Sequence, residues 1–202
     1  MSWRFTHAIA RPPAASIVNG LRAVDRGRPD LNTYLAEHTA YLDALRDSGV
    51  ETVLLEPLEA YPDSVFVEDA ALCLPEGFIV LRPGAPTRLG EADEIAMDFD
   101  RLGYVYRRIG RGSIDGGDIL VTDRVVMVGK SARTDGEGFS ELETHLAAWG
   151  YAAELVETPS GVLHLKSDCA ILDTETVLAT RRLAQSGGFE GFRVLEVPAG
   201  ED

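Results

Sequence analysis

The chain has 202 residues, 45% of them hydrophobic, which is enough to bury a core in one domain. Its 19 Lys and Arg against 33 Asp and Glu leave a formal net charge of −14, a balance that argues against nucleic acid and anionic membrane surfaces and suits a cationic small molecule. No apolar run reaches the length of a membrane helix or of a secretory signal, so a cytoplasmic protein is expected.

In chain order, "DLNTYLAEHTAYLDALRDSG" repeats apolar residues at helical spacing (Leu31, Tyr34, Leu35, Tyr41, Leu42, Leu45), with Asp30 as N-cap and Gly49 as stop. A strand-like run, "VETVLLEP", follows at once. Next comes a β-rich pair, "SVFVEDAALCLPEGFIVL", that turns at Pro75, Glu76 and Gly77. The phrase then recurs. "EADEIAMDFDRLG" runs into "YVYRRIG" and a hairpin "GGDILVTDRVVMVG" turning at Thr122, Asp123 and Arg124. "FSELETHLAAWG" runs into "YAAELVET" and a hairpin "VLHLKSDCAILDTETVLAT" turning at Asp173, Thr174 and Glu175. A fainter copy is "RRLAQSGGFEG" before "FRVLEVP". The unit is helix, glycine, strand, hairpin at a period of roughly fifty residues, within the range of repeat architectures, which stack or close into a ring.

Charged residues fall at the same place in each copy. Glu68 and Asp69 begin the first hairpin, Asp115 to Asp118 the second, and His164 to Asp168 the third. Each has a plainer reading. Asp-Gly-Gly-Asp is good turn chemistry, with glycines supplying positive φ; His164 suits a satisfied core histidine; Glu68 and Asp69 suit a solvated strand end. Turn preference alone does not account for all three at equivalent points, and one site assembled from successive repeats is expected. Cys73 and Cys169 lie inside apolar runs and read as small buried hydrophobes. No HxH, HExxH or paired-Cys spacing supports a metal site.

The segments "YPDSVFVEDAALCL", "RPGAPTR", "DGGDILVTDRVVMVGKSART" and "GVLHLKSDCAIL", in this order and at these separations, resemble the dimethylarginine dimethylaminohydrolases of the guanidine-modifying (pentein) superfamily. The resemblance runs from about the first helix to "EVPAGED". It implies an α/β propeller of repeated units around a pseudo-fivefold axis, with residues 1–202 as a single domain incomplete at the C-terminus. The activity it implies is hydrolysis of an N-methylated arginine to citrulline and methylamine or dimethylamine. A cysteine thiolate attacks the guanidinium carbon, and water hydrolyses the resulting thiouronium. No cofactor or metal is implied, the partner is the small-molecule substrate, and a homodimer is among the states allowed.

By the same resemblance His164 is the general acid and base, and Asp115 is the acid that holds its tautomer and stabilises its charged form. Asp63, Glu68 and Asp69 receive the guanidinium, Arg88 and Arg133 contact the amino acid's own carboxylate, and Val18 is a lid-loop contact. The family's nucleophile lies on a C-terminal strand that closes the ring, and these residues stop short of it. Cys169 is five positions after His164, so on one strand the two face opposite ways, and burial should leave the Cys73 thiol inert. The 202 residues alone are therefore expected to be catalytically incompetent, with the missing segment truncated or supplied by another chain, and with unpaired edges that favour dimerisation or instability. Two rivals stay open: an arginine deiminase or amidinotransferase relative, and a non-catalytic protein that binds arginine or methylarginine.

Overall fold

In the computed structural model, residues 5–198 and 200 are described. Strand β1 (His7–Ala10) lies parallel to β2 (Glu51–Leu54), pairing His7 with Glu51 through Ala10 with Leu54. Parallel strands need a crossover, and helix α1 (Leu31–Asp47) supplies it. The helix starts where the Asp30 carboxylate accepts from Thr33 N, and it stops ahead of Gly49, whose φ of +84° a side chain would resist. Its apolar stripe is less sunk than its spacing suggests: Leu42 is buried, whereas Tyr41 is exposed and Leu31, Tyr34, Leu35 and Leu45 are half-buried.

Three further sheets share one plan. The hairpin of β3 (Ala71–Leu74) and β4 (Gly77–Val80) is followed by α2 (Glu91–Leu102) and by β5 (Tyr106–Arg108), which pairs parallel to β4. The hairpin of β6 (Ile119–Val121) and β7 (Val126–Lys130) is followed by α3 (Gly136–Ala147) and by β8 (Ala153–Glu157), parallel to β7. The hairpin of β9 (Cys169–Ile171) and β10 (Thr176–Ala179) is followed by the short α4 (Arg181–Ala184) and by β11 (Arg193–Glu196), parallel to β10. Each sheet thus combines the hairpin of one repeat with the strand of the next, so neighbouring repeats are stitched by hydrogen bonds as well as by packing. The β1–β2 pair follows the same plan without an antiparallel member among the described residues.

Strand alternation makes each sheet a wall between two cores. Ile79 on β4 packs with Ile119, Val128, Leu142 and Leu146, while the next residue, Val80, packs with Ile95 and Phe99 of α2. On β7, Val126 and Val128 join the first of these cores, whereas Met127 turns to a third with Leu120, Val177 and Leu183. This is why the hairpin strands read as continuous apolar runs. Among the described residues no helix is long and apolar enough to cross a membrane.

Candidate active site

The acids that open the three hairpins are not in the strands. Each lies in or beside a 3-10 turn just before the first strand of its hairpin: residues Val67–Ala70 before β3, Gly116–Asp118 before β6 and Leu165–Ser167 before β9. The first turn packs on the second and the second on the third. Asp69 lies in the first turn, Asp115 and Asp118 flank the Gly-Gly pair of the second, and His164 caps the third. Equivalent points of three repeats converge on one cluster, as the sequence pattern leads one to expect.

His164 is the centre of that cluster, and it is buried. Its Nδ1 lies 3.4 Å from Asp118 Oδ2, and its Nε2 lies 3.8 Å from Asp115 Oδ2 and 3.9 Å from Asp69 Oδ1. Burial alone would push the imidazole pKa down. The Asp118 hydrogen bond and the charges of Asp69, Asp118 and Asp115 outweigh that, and the pKa is raised. Asp115 is fully buried, and desolvation lifts its carboxyl to about 6 despite the 2.6 Å hydrogen bond its Oδ1 accepts from Gly84 N. Its other oxygen, Oδ2, has no hydrogen-bond partner. A buried acceptor left open beside a histidine is where a donor from outside the chain would bind.

The glycines of Asp-Gly-Gly-Asp supply space rather than positive φ. Neither Gly116 nor Gly117 is in the left-handed region. A Cβ on Gly117 would stand 2.8 Å from the His164 ring, and one on Gly116 would run into the carbonyl oxygen of Glu68. Gly117 N also donates to Asp69 Oδ1 at 3.0 Å, so the pair lets three turns close onto one imidazole.

The other expected site residues divide. Arg88, expected at the substrate carboxylate, is instead buried between Asp69 (2.5 Å from Nη1) and Glu91, which it meets through Nε at 2.9 Å and Nη2 at 2.7 Å. Its Nη2 also donates to the carbonyls of Asp63 and Phe66. The reason is local: Glu91 opens α2 three residues later, and a buried guanidinium needs acceptors on every side. Arg133 is half-buried and lies 3.8 Å from Asp115 Oδ2. Asp63 stands apart from the histidine, where both its oxygens accept from Leu21 N in the loop that follows Val18. Val18 is half-buried there, its carbonyl accepting from Arg22. Glu68 points outward and meets Lys166 at 2.5 Å across the rim of the cluster.

The cysteines depart from the expectation of burial. Cys169 is half-buried, its Sγ donating to Leu165 O at 3.3 Å, and desolvation pushes its thiol up to about 12. Cys73 is exposed, because alternation on β3 turns Leu72 inward and Cys73 out; the residue reaches the surface while its thiol stays desolvated, which pushes it up to about 11. Neither is a thiolate near neutral pH. Asp69, Asp115 and His164 each bring one ligand atom within 4.8 Å of the others, and they are the set among the described residues that could take a cation.

A family model described as N,N dimethylarginine dimethylhydrolase, eukaryotic, matches residues 27–171. The N(G),N(G)-dimethylarginine dimethylaminohydrolase of Pseudomonas aeruginosa is 38% identical over 199 residues, which is 98% of this chain and 78% of that protein. The Pseudomonas aeruginosa enzyme, solved as a cysteine-to-serine mutant complexed with citrulline, superposes with a TM-score of 0.90 over 97% of this chain and 77% of that one, at 38% identity. A histidine-to-glycine dimethylarginine dimethylaminohydrolase, solved as an adduct with S-methyl-L-thiocitrulline, superposes with a TM-score of 0.91 over 98% of this chain and 78% of that one, at 37% identity.

Proposed function

The chain belongs to the dimethylarginine dimethylaminohydrolase family, of the guanidine-modifying (pentein) superfamily and its α/β propeller fold, and on that premise we propose that its cluster binds an N-methylated arginine and serves its hydrolysis to citrulline. The observation that carries the reading is the buried Oδ2 of Asp115, without a hydrogen-bond partner, beside His164 and Asp69. A planar cation with several N–H donors complements such a site, and carboxylates are its natural partners. Citrulline and S-methyl-L-thiocitrulline in the two similar structures are of the same chemical type as this substrate and product.

The chemistry proceeds in two halves. A thiolate attacks the guanidinium carbon, the C–N bond to the methylated nitrogen breaks, and His164 gives that nitrogen its proton, leaving an S-bound thiouronium. Water then adds to the same carbon, His164 takes back a proton, and the C–S bond breaks to release citrulline. The cysteine-to-serine and histidine-to-glycine forms of the similar enzymes support one thiol and one imidazole in these roles. The raised pKa of His164 suits a group that must first donate. Asp115 and Asp69 stabilise the cations on the Nε2 side, Arg88 holds Asp69 in place, and Arg133 is the arginine available to the substrate carboxylate. Asp63 secures the Val18 loop, and Glu68 guards the rim with Lys166. The nucleophile is neither Cys73 nor Cys169, both of which stay protonated.

Citrulline release from asymmetric dimethylarginine, monomethylarginine and arginine tests the reading, on this chain and on a version continued to the next in-frame stop. Release from the methylated substrates by the continued version, abolished by His164→Gly, is the expected result. Release from arginine alone makes the site a deiminase. Methylarginine binding without turnover in either version makes it a binding site.

A further inference from the structure

We propose that Asp118, and not Asp115, sets the tautomer of His164, and that it does so as the hub of a hydroxyl clamp shared with the loop that carries Arg133. The inference rests on the reading of the cluster as an active site, and it makes Asp118 a positioning residue that acts through the histidine.

The two carboxylates differ in what they touch. Asp118 is fully buried. Its Oδ1 accepts from Leu165 N at 2.9 Å; its Oδ2 accepts from Ser131 Oγ at 2.6 Å and from Thr134 Oγ1 at 2.7 Å, and faces His164 Nδ1 at 3.4 Å. Both Asp118 oxygens act as acceptors in this clamp, and with the carboxylate accepting, the neutral imidazole beside it carries its hydrogen on Nδ1. Asp115 offers no such bond: its Oδ2 is 3.8 Å from Nε2, within ion-pair range and beyond hydrogen-bond range. With Nδ1 protonated, the lone pair of Nε2 faces Asp69 and Asp115, the side where a guanidinium would lie.

The same oxygen holds the neighbouring loop. Ser131 Oγ, while donating to Asp118, accepts from Arg133 N at 3.0 Å, and Thr134 Oγ1 accepts from Asp115 N at 3.2 Å. One buried carboxylate thus fixes the imidazole, the Arg133 loop and the start of the Asp115 turn together. Among the described residues, the charged groups facing the imidazole come from the turns already named: Asp69 from the first, Asp115 and Asp118 from the second, with Arg133 behind Asp115.

Asp118→Asn separates charge from shape. Its Oδ1 can stay on Leu165 N, and of the two hydrogens of the new amide one goes to a hydroxyl of the Ser131–Thr134 pair, which rotates to accept it, while the other is given to Nδ1. The imidazole hydrogen is driven to Nε2, the wrong tautomer for a base on the substrate side. The measurement is the ring ¹⁵N shifts of His164 in the 202-residue chain, above the pH at which the ring titrates. The expected result is Nδ1–H in the parent, Nε2–H in Asp118→Asn and Nδ1–H still in Asp115→Asn. A parent ring protonated on Nε2 overturns the proposal without any variant, as does a swap in Asp115→Asn or none in a folded Asp118→Asn. In a catalytically active form, Asp118→Asn should lower kcat by about 10²–10⁴-fold with KM little changed. The NMR result stands whether or not citrulline is released, so failure of the tautomer assignment and failure of the functional reading are distinguishable.

Discussion

Gly117 is as necessary to the cluster as the acids around it. A methyl group there would stand 2.8 Å from the His164 ring, and overpacking of this kind costs about 1–3 kcal/mol. Gly117→Ala is expected to lower the melt by that amount and to abolish methylarginine binding; a variant that binds normally would show that the turns can separate without harm. Asp115 carries a pH dependence whose sign follows from its raised pKa. The folded chain holds this proton up to about pH 6 whereas the unfolded chain releases it near 3.8, so stability falls as pH rises through that window. Relative to Asp115→Asn, the parent should lose about 2–3 kcal/mol between pH 4 and 7. Denaturant melts at the two pH values measure this, and a constant gap between the chains contradicts it. At this scale the sequence exposed Asp69, Asp115 and His164 through their repeat positions. It hid the division of labour between Asp115 and Asp118, since hydrogen bonds from Leu165, Ser131 and Thr134 appear only once the loops are placed. The cage around Arg88 was hidden for a related reason: its acceptors Asp69 and Glu91 come together only in three dimensions.

Helices and hairpins were legible from period and turn chemistry, whereas the 3-10 turns were not. "SVFVEDAAL" reads as one extended run, yet Val67–Ala70 coil into a turn and the strand begins only at Ala71. A one-turn device has no hydrophobic period to betray it. The pairing of strands was hidden too, because a repeat in sequence does not show that its strand joins the preceding hairpin. One contact between elements makes a separate test. Arg11, just past β1, is buried against Asp98 of α2 at 2.7 Å and also donates to Glu56 O. Asp98→Ala would leave a buried guanidinium without its carboxylate, and a loss of about 3–5 kcal/mol is expected. Arg101, which meets Asp98 from the surface at 3.0 Å, serves as the control: Arg101→Ala should cost less than about 1 kcal/mol. Equal losses would mean that burial does not set the strength of this pair.

Across the whole molecule, the repeat in sequence became a repeat of sheets sharing cores, and the convergence of three turns follows from that arrangement. Among the described residues β1 has a partner on one edge only, while its counterparts β4, β7 and β10 are paired on both. An open edge invites another strand, so the chain is expected to self-associate in sedimentation; a monomer with a cooperative melt at high concentration contradicts this. The most direct test of the central claim, that the cluster around His164 is a guanidinium site, is calorimetric titration of the folded chain with asymmetric dimethylarginine. Saturable binding at one site, weakened at least about tenfold by Asp115→Asn as expected for a lost charge-assisted contact, is the predicted result. A folded chain that takes up no asymmetric dimethylarginine, or binds it equally well without the Asp115 charge, would contradict it.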